Sequence, residues 1–227
     1  MGSKTAVQSP AVLRKSISNQ NDEAEGAALV GYRGESVSSA LKRRSVEFAT
    51  VALLAADPGL SAGDHIVIES YTATNNSGVM FGNITATDAD EGVFIALAAS
   101  GLFFKHNLPE MVSVKKFGAE GDGVTNDTVA FNKASASLAG TGGALVVPRT
   151  SGKYLLENTW LITNDNPFGA CDDLNIRIES GVTIIQTATP TDQLLIEIDG
   201  VSNVDIHAYG ATVDGNIDNI VGWPAYG

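Results

Sequence analysis

A single cysteine, Cys171, stands in a chain of 227 residues. An internal disulfide is therefore excluded, and the chain is not built like a small secreted disulfide scaffold. With neither His nor Lys beside it, Cys171 reads as a small buried hydrophobe rather than a reactive thiol. The three histidines, His65, His106 and His207, are far apart and show no zinc-type spacing. Positive charge is scarce: Lys plus Arg is 14 against 26 Asp plus Glu, a formal net charge of −12. That balance argues against nucleic acid and anionic membranes as partners, while neutral glycans are permitted and acidic ones would need a basic groove. The one dense basic patch, Lys42-Arg43-Arg44, reads as a solvated face. Long apolar runs are missing too. The longest, residues 51–56, is far too short to cross a bilayer, so no membrane insertion is expected. Residues 1–21 are polar and lack the apolar centre of a secretory leader, and Ala6 breaks the myristoylation pattern that Gly2 would begin. There is no phosphate-cradling glycine loop, nucleophile elbow or Cys–His motif, so no cofactor is expected. Asp88, Asp90 and Glu91 lack the glycine and closing glutamate of an EF-hand loop, which makes an acidic turn the expectation and a metal site not.

What is present is turn-rich and apolar. Hydrophobic residues make up 44%, and 24 glycines stand against 7 prolines, which suits a β protein with many turns. Residues 1–35 read as a partly flexible arm dominated by Ser, Asn, Gln, Asp and Glu. Within 31–57 the spacing of Val37, Ala40, Leu41, Phe48 and Val51 predicts partial helix, with Ser36 as its cap and Asp57-Pro58-Gly59 as its end. Residues 63–105 alternate as a small antiparallel β unit, with strands at 65–71, 80–87, 93–98 and 102–105 and a turn at Asn75-Asn76-Ser77-Gly78. The expected division is an arm over 1–35, a small β-rich head over 36–109 and a third part over 110–227.

That third part begins with the most informative stretch of the chain, residues 112–147. A short apolar strand runs into a glycine-and-aspartate turn, then into an amphipathic helix over 128–138 with Asp127 as its N-cap, then into a Gly-rich break and a second strand. Val129, Ala130, Phe131, Ala134 and Leu138 are read as one apolar side. From Ala144 the chain becomes short strands separated by turns. Asn175-Ile176-Arg177-Ile178 realigns with Asn203-Val204-Asp205-Ile206 at an offset of 28, close to one turn of a parallel β-helix. Ile176, Ile178, Val204 and Ile206 would then point inward, and Arg177, Glu179, Asp205 and His207 outward. The end of such a coil exposes an apolar interior and unpaired backbone groups, so the helix is expected to cover it. The fold class is thus mainly β: an arm, a small α+β module and the first coils of a parallel β-helix closed by a short helix.

The residues Phe117, Gly118, Gly121, Asp122, Gly123 and Asp127 form a segment that resembles the start of the pectate-lyase-3-like right-handed β-helix family. Gly142-Gly143-Ala144-Leu145-Val146-Val147-Pro148 with Gly152-Lys153-Tyr154 resembles its first coil, and residues 210–216 a later one. In the front half, Gly31, Tyr32, Arg33 and Gly34, then residues 63–68 and 88–92, resemble the front of bacteriophage tailspikes. That resemblance implies a homotrimer on the virion tail, docked to tail or adaptor proteins through its N-terminal region. It also implies a β-helix behind that binds and degrades host capsule or O-antigen polysaccharide. On this reading the chain is the virion-proximal part of a longer depolymerase. A secreted pectate lyase or polygalacturonase-like enzyme with a front domain is the alternative, and a purely structural or adhesive module a third.

Few residues in the chain itself promise chemistry. Glycoside hydrolysis needs a spaced pair of carboxylates. The outward acids Glu179, Asp205, Asp214 and Asp218 form no such pair by sequence. Asp205 and His207 share a strand face at i, i+2 and are, with Trp223, candidates for glycan contact. Trp160 is assigned to packing, and Trp223 and Tyr226 to a terminal loop. Asp122 and Asp127 are assigned to turn and cap. No catalytic residue is identified, and the 227-residue chain is expected to be inactive.

Overall fold

The computed structural model describes residues 45–86, 94–141, 143–187 and 194–215. The arm with Gly31, Tyr32, Arg33 and Gly34, the Lys42-Arg43-Arg44 patch, the Asp88–Glu91 turn, Asp218, Trp223 and Tyr226 lie outside the described residues.

Strand β1 (Ser45–Thr50) runs parallel to β2 (His65–Ser70), joined to it through the single-turn helix α1 (Val51–Ala55). The helix expected within 31–57 is therefore realised, among the described residues, only in α1. Residues 45–50 are extended because Val46 and Phe48, two apart, pack on the same core as Ile66 and Ile68, and pairing with β2 satisfies the backbone. Strands β3 (Met80–Thr85), β4 (Phe94–Leu97) and β5 (Leu102–His106) complete a five-stranded sheet in the order β1-β2-β3-β5-β4, antiparallel from β2 onward. Its inner face, with Ile66, Ile68, Met80, Ile84 and Phe104, is covered by Val51, Leu54 and Leu60.

The second core is built by coiling. Strand β6 (Met111–Ser113) leads through a 3₁₀ turn (Val114–Phe117) and helix α2 (Thr128–Leu138) into β7 (Ala144–Val147), β8 (Tyr154–Leu156) and β9 (Trp160–Thr163). The next coil is β10 (Asn175–Ile178), β11 (Thr183–Gln186) and β12 (Ile196–Asp199). A third begins with β13 (Asp205–His207) and β14 (Thr212–Asp214). Every pairing here is parallel, in three separate sheets ordered β6-β7-β10-β13, β8-β11-β14 and β9-β12. This is a parallel β-helix. Leu145 lies beside Ile176 and Ile176 beside Ile206, so each coil buries the apolar row of the last.

The register corrects the internal repeat. Asn175 pairs with Asp205, not Asn203. Asp173 and Asn203 instead occupy the same turn position one coil apart: both have positive φ, of 54° and 55°, and the Asn203 amide donates to Asp173 Oδ1 at 2.7 Å across a separation of 30 residues. The slip of two residues leaves the facing unchanged because the side-chain period along a strand is two. Ile176 and Ile178 are buried, Val204 and Ile206 half-buried, and Arg177, Glu179, Asp205 and His207 exposed, as the pattern required.

Helix α2 seals the first coil with Ala130, Phe131, Ala134 and Leu138; Val129 is not on that side and is 52% exposed. Phe131 meets the rings of Tyr154 and Trp160 edge-on at 5.3 and 4.9 Å, and Trp160 Nε1 donates to Ser135 Oγ at 2.8 Å. Trp160 is thus a core residue. At the turn before β8, the loop carrying Gly121 and Asp122 passes so close that a Cβ on Gly152 would lie 2.7 Å from the Asp122 carbonyl carbon and the Gly121 oxygen. Backbone on both sides cannot yield cheaply. Gly152→Ala is expected to cost about 2 kcal/mol by this overpacking, read as a lower midpoint in denaturant unfolding; an unchanged midpoint would show that the loop is not held where it lies.

Candidate functional site

The Gly-Asp-Gly segment is a fastening rather than a reactive centre. Asp127 precedes α2, yet its side chain makes no capping bond to the helix; the helix N-terminus is served instead by Asn126 Oδ1, which accepts from the Thr128 amide at 3.0 Å. Asp127 turns inward, fully buried, and accepts from the amides of Glu120 at 2.7 Å, Gly121 at 3.2 Å and Leu155 at 3.3 Å. Its own amide donates to the Leu155 carbonyl at 2.8 Å, and Asn126 forms a parallel bridge to Leu155. The loop thereby extends the β8 sheet and supplies partners to its otherwise open edge. Asp122 is exposed and closes its own turn, accepting from the amides of Val124 and Thr125 at 2.8 and 2.7 Å. Gly118 ends the 3₁₀ turn at φ 103° against the Tyr71 ring, and Phe117 joins the coil core.

The same segment ties the coil to the sheet ahead of it. Asn75, fully buried, donates to the Lys115 carbonyl at 2.7 Å, and Lys115 Nζ returns to the Asn75 carbonyl at 2.8 Å and the Glu120 carbonyl at 3.1 Å. Thr72 and Thr74 donate their hydroxyls to the two oxygens of Glu120. Between this loop and the coil lies a cleft of about 740 Å³ that Lys115, Glu120, Asp122 and Arg149 line. The sequence placed Asn75 in a turn but did not join it to Lys115, which lies forty residues away.

The outer face of the sheet β6-β7-β10-β13 carries the polar residues. Asp205 stands beside Asn175 and His207 beside Arg177, all four on one face. Asp205 and His207 are exposed and no hydrogen bond joins them, so the expected glycan-contact candidates share a surface without forming an acid–base pair. Tyr209, 83% exposed, stacks on His207 with ring centroids 6.4 Å apart. Next to Asn175 and Arg177 opens a second cleft, of about 470 Å³, bounded by Glu110, Met111 and Thr141. Arg177, Asn175 and Tyr209 were not named as contact candidates in the sequence. The alternation that selects Asp205 and His207 also selects Tyr209; the repeat sets Arg177 outward with them, and the register puts it beside His207. The described residues contain no cluster of metal-ligating side chains.

Two buried groups have displaced proton affinities of opposite consequence. Burial raises the Asp127 carboxyl to about 6, against the pull of the amides of Glu120, Leu155 and Gly121. Burial, with Lys116 nearby, lowers His106 to about 4; its ring stacks 6.1 Å from Phe104 and lies 6.4 Å from Phe117, and its Nε2 has no hydrogen-bond partner among the described residues. For Asp127 the folded chain holds the proton more tightly, so its contribution is present at low pH and lost as pH rises through about 6. For His106 the unfolded chain holds the proton more tightly, so stability is lost as pH falls from 6.5 towards 4. Comparing the native chain with His106→Phe cancels the Asp127 term. The variant is expected to escape an acid-side loss of about 3 kcal/mol over that window, measured by urea unfolding at several pH values. Asp127→Ala leaves three buried amides without an acceptor and is expected to cost about 3 kcal/mol or more at neutral pH, measured the same way.

Comparison with known proteins places the coil start. Residues 111–171 match the family described as rhamnogalacturonase A/epimerase, pectate lyase-like. The chain is 35% identical over 111 residues to a polygalacturonase of Persea americana, covering 46% of this chain and 22% of that protein. It is 30% identical over 134 residues to a non-secreted LysM effector of Penicillium expansum, covering 51% of this chain and 10% of that protein. The chain thus spans between 10% and 22% of the length of these curated relatives. Among solved structures it is similar to the full-length tailspike protein 2 of an Escherichia coli bacteriophage, at 17% identity and a TM-score of 0.48 over 86% of this chain and 23% of that one. It is also similar to a glycan biofilm modifying enzyme of Pantoea stewartii with a bacteriophage tailspike-like parallel β-helix fold, at 15% identity and a TM-score of 0.48 over 77% of this chain and 25% of that one. The match falls on the cap and first coil, residues 111–171, which are similar to that pectate lyase-like family.

Proposed function

We propose that this chain is the virion-proximal part of a bacteriophage tailspike whose β-helix recognises and degrades a host surface polysaccharide, capsule or O-antigen. The observation that carries the reading is a pectate-lyase-like coil whose sealed front end is bonded to a separately cored β sheet ahead of it. A rigid head of this kind transmits the position of an anchor to the coil behind. In this reading residues 1–35, with Gly31, Tyr32, Arg33 and Gly34, form the virion-anchoring arm that docks on tail or adaptor proteins. Residues 36–109 form the head, and residues 110–227 the cap and first coils. The spike is a homotrimer, since three copies related by a closed axis bury flanks that one copy leaves open. Phe81 and Met111, 57% and 54% exposed, are surface that such packing would cover.

A second reading has its own support in the 35% identity to a polygalacturonase: the front of a polygalacturonase-like enzyme with an additional N-terminal module. Mass separates the two. Sedimentation equilibrium of the 227-residue chain is expected to return three times the 23.6 kDa of one copy; a monomer at all concentrations would favour the second reading.

A further inference from the structure

A histidine sits where the five-stranded sheet meets the coil. His106 ends the inner face of β5 and is 4% exposed. Its ring touches both cores: it lies 6.1 Å from Phe104 of the sheet and, tilted, 6.4 Å from Phe117 of the coil. The chain leaves the sheet directly afterwards, since residues 107–110 form neither helix nor strand and lead into β6. His106 therefore stands beside the pivot between two bodies that each keep an apolar core. Its Nε2 is buried without a partner, so the closed joint supplies no acceptor for an N–H there.

The charges around the ring oppose a proton on it. Lys116 bears on it most directly, and is fixed in place because its Nζ donates to the Val79 carbonyl at 3.0 Å. Lys115, on the same 3₁₀ turn, donates to the Asn75 and Glu120 carbonyls. His65, Glu69 and Lys105 are exposed on the outer face of the sheet, away from His106. Strand β3 sets Gly82 opposite His106 and brings no charge there. The Tyr71 ring lies against Gly118, and burial keeps its phenol protonated. Glu110, in the connecting segment, is exposed. Glu120 is the carboxylate among the joint's hydrogen bonds, and the Thr72 and Thr74 hydroxyls occupy both its oxygens.

We propose that His106 is a proton-operated catch: neutral, it lets the coil close on the sheet, and protonated, it opens the joint while both cores stay folded. This goes beyond the tailspike reading and holds whether or not that reading does. Strand β5 is fixed by pairing with β3 and β4, so the contact that parts is the one with Phe117 and its 3₁₀ turn. The polar bonds of Asn75, Lys115 and Glu120 then carry the joint alone, and water competes for each of them. Burial, with Lys116, holds the ring to about 4 in the closed joint, against 6.5 once it is free. The closed state is thus favoured above 6.5 and loses ground as pH falls. Between about pH 7.5 and about pH 5.5 the open fraction rises about tenfold.

Amide hydrogen exchange of the 227-residue chain, read by mass spectrometry at both pH values and corrected for intrinsic rates, tests this. Peptides covering residues 72–79 and 113–120 are expected to lose about tenfold in protection on acidification, while those of β2, β7 and β10 keep theirs. His106→Phe and His106→Gln, one apolar and one polar but neither titrating, are each expected to abolish that loss. Asp127 also takes up a proton near 6, but it is retained in both variants and cancels in the comparison. Glu120→Gln is expected to raise exchange at the joint by one factor at both pH values and to leave the acid loss intact. Joint protection that does not change with pH, a loss that survives either His106 substitution or disappears in Glu120→Gln, or a loss shared equally by the core strands would each overturn the proposal.

Discussion

The buried carboxylate of Asp127 receives three amides from two stretches of chain: Glu120 and Gly121 from the opening loop, Leu155 from the first coil. The coil depends on this convergence. A parallel β-helix has no turn that pairs its first strand with a neighbour, so its leading edge would present bare backbone and an open apolar interior. Asp127 supplies the first of these needs by pinning a loop alongside β8, and α2, which begins at the next residue, supplies the second by laying Phe131 across Tyr154 and Trp160. Edge and interior are closed by adjacent residues because the loop must end where the helix begins.

The junction with the head sheet follows from the same anchoring. Once Asp127 holds the Glu120 and Gly121 amides, the Glu120 carbonyl and carboxylate are positioned for Lys115 Nζ and for the Thr72 and Thr74 hydroxyls. These are charge-assisted bonds in a partly shielded setting, the stronger kind among protein hydrogen bonds. The sheet and the coil keep separate apolar cores, so their mutual position rests on these polar contacts and on the tilted ring contact of His106 with Phe117. Polar contacts of this sort orient two bodies more sharply than apolar packing, which is non-directional.

Much of the architecture was legible because it follows local rules. The helix over 128–138, the alternation at 175–178 and the turn at Asp122 are set by side-chain period and Asx chemistry. Misreadings arose where a partner distant in sequence decided. Asp127 looks like a helix cap, but its carboxylate is taken by the amides of Glu120 and Gly121 from the opening loop and of Leu155 from the coil. Residues 45–50 lose their helical spacing to pairing with β2. The repeat slipped by two because Asn175 and Asn203 match in identity, whereas the positive-φ turn residues Asp173 and Asn203 are the structural equivalents. The polar face was largely legible: the repeat set Arg177, Asp205 and His207 outward together, and the register decided only that Arg177 stands beside His207.

The sequence by itself determined the strand and helix periods, the inward and outward sides of each strand and the closing helix, since these depend on neighbours within a few residues. Only the tertiary structure decided which coil lies on which, where Asp127 points, and that Arg177, His207 and Tyr209 form one surface. Those are settled by backbone pairing between segments some thirty residues apart, and the energy of such pairing is nearly the same for several registers until the apolar rows and the turn residues choose among them.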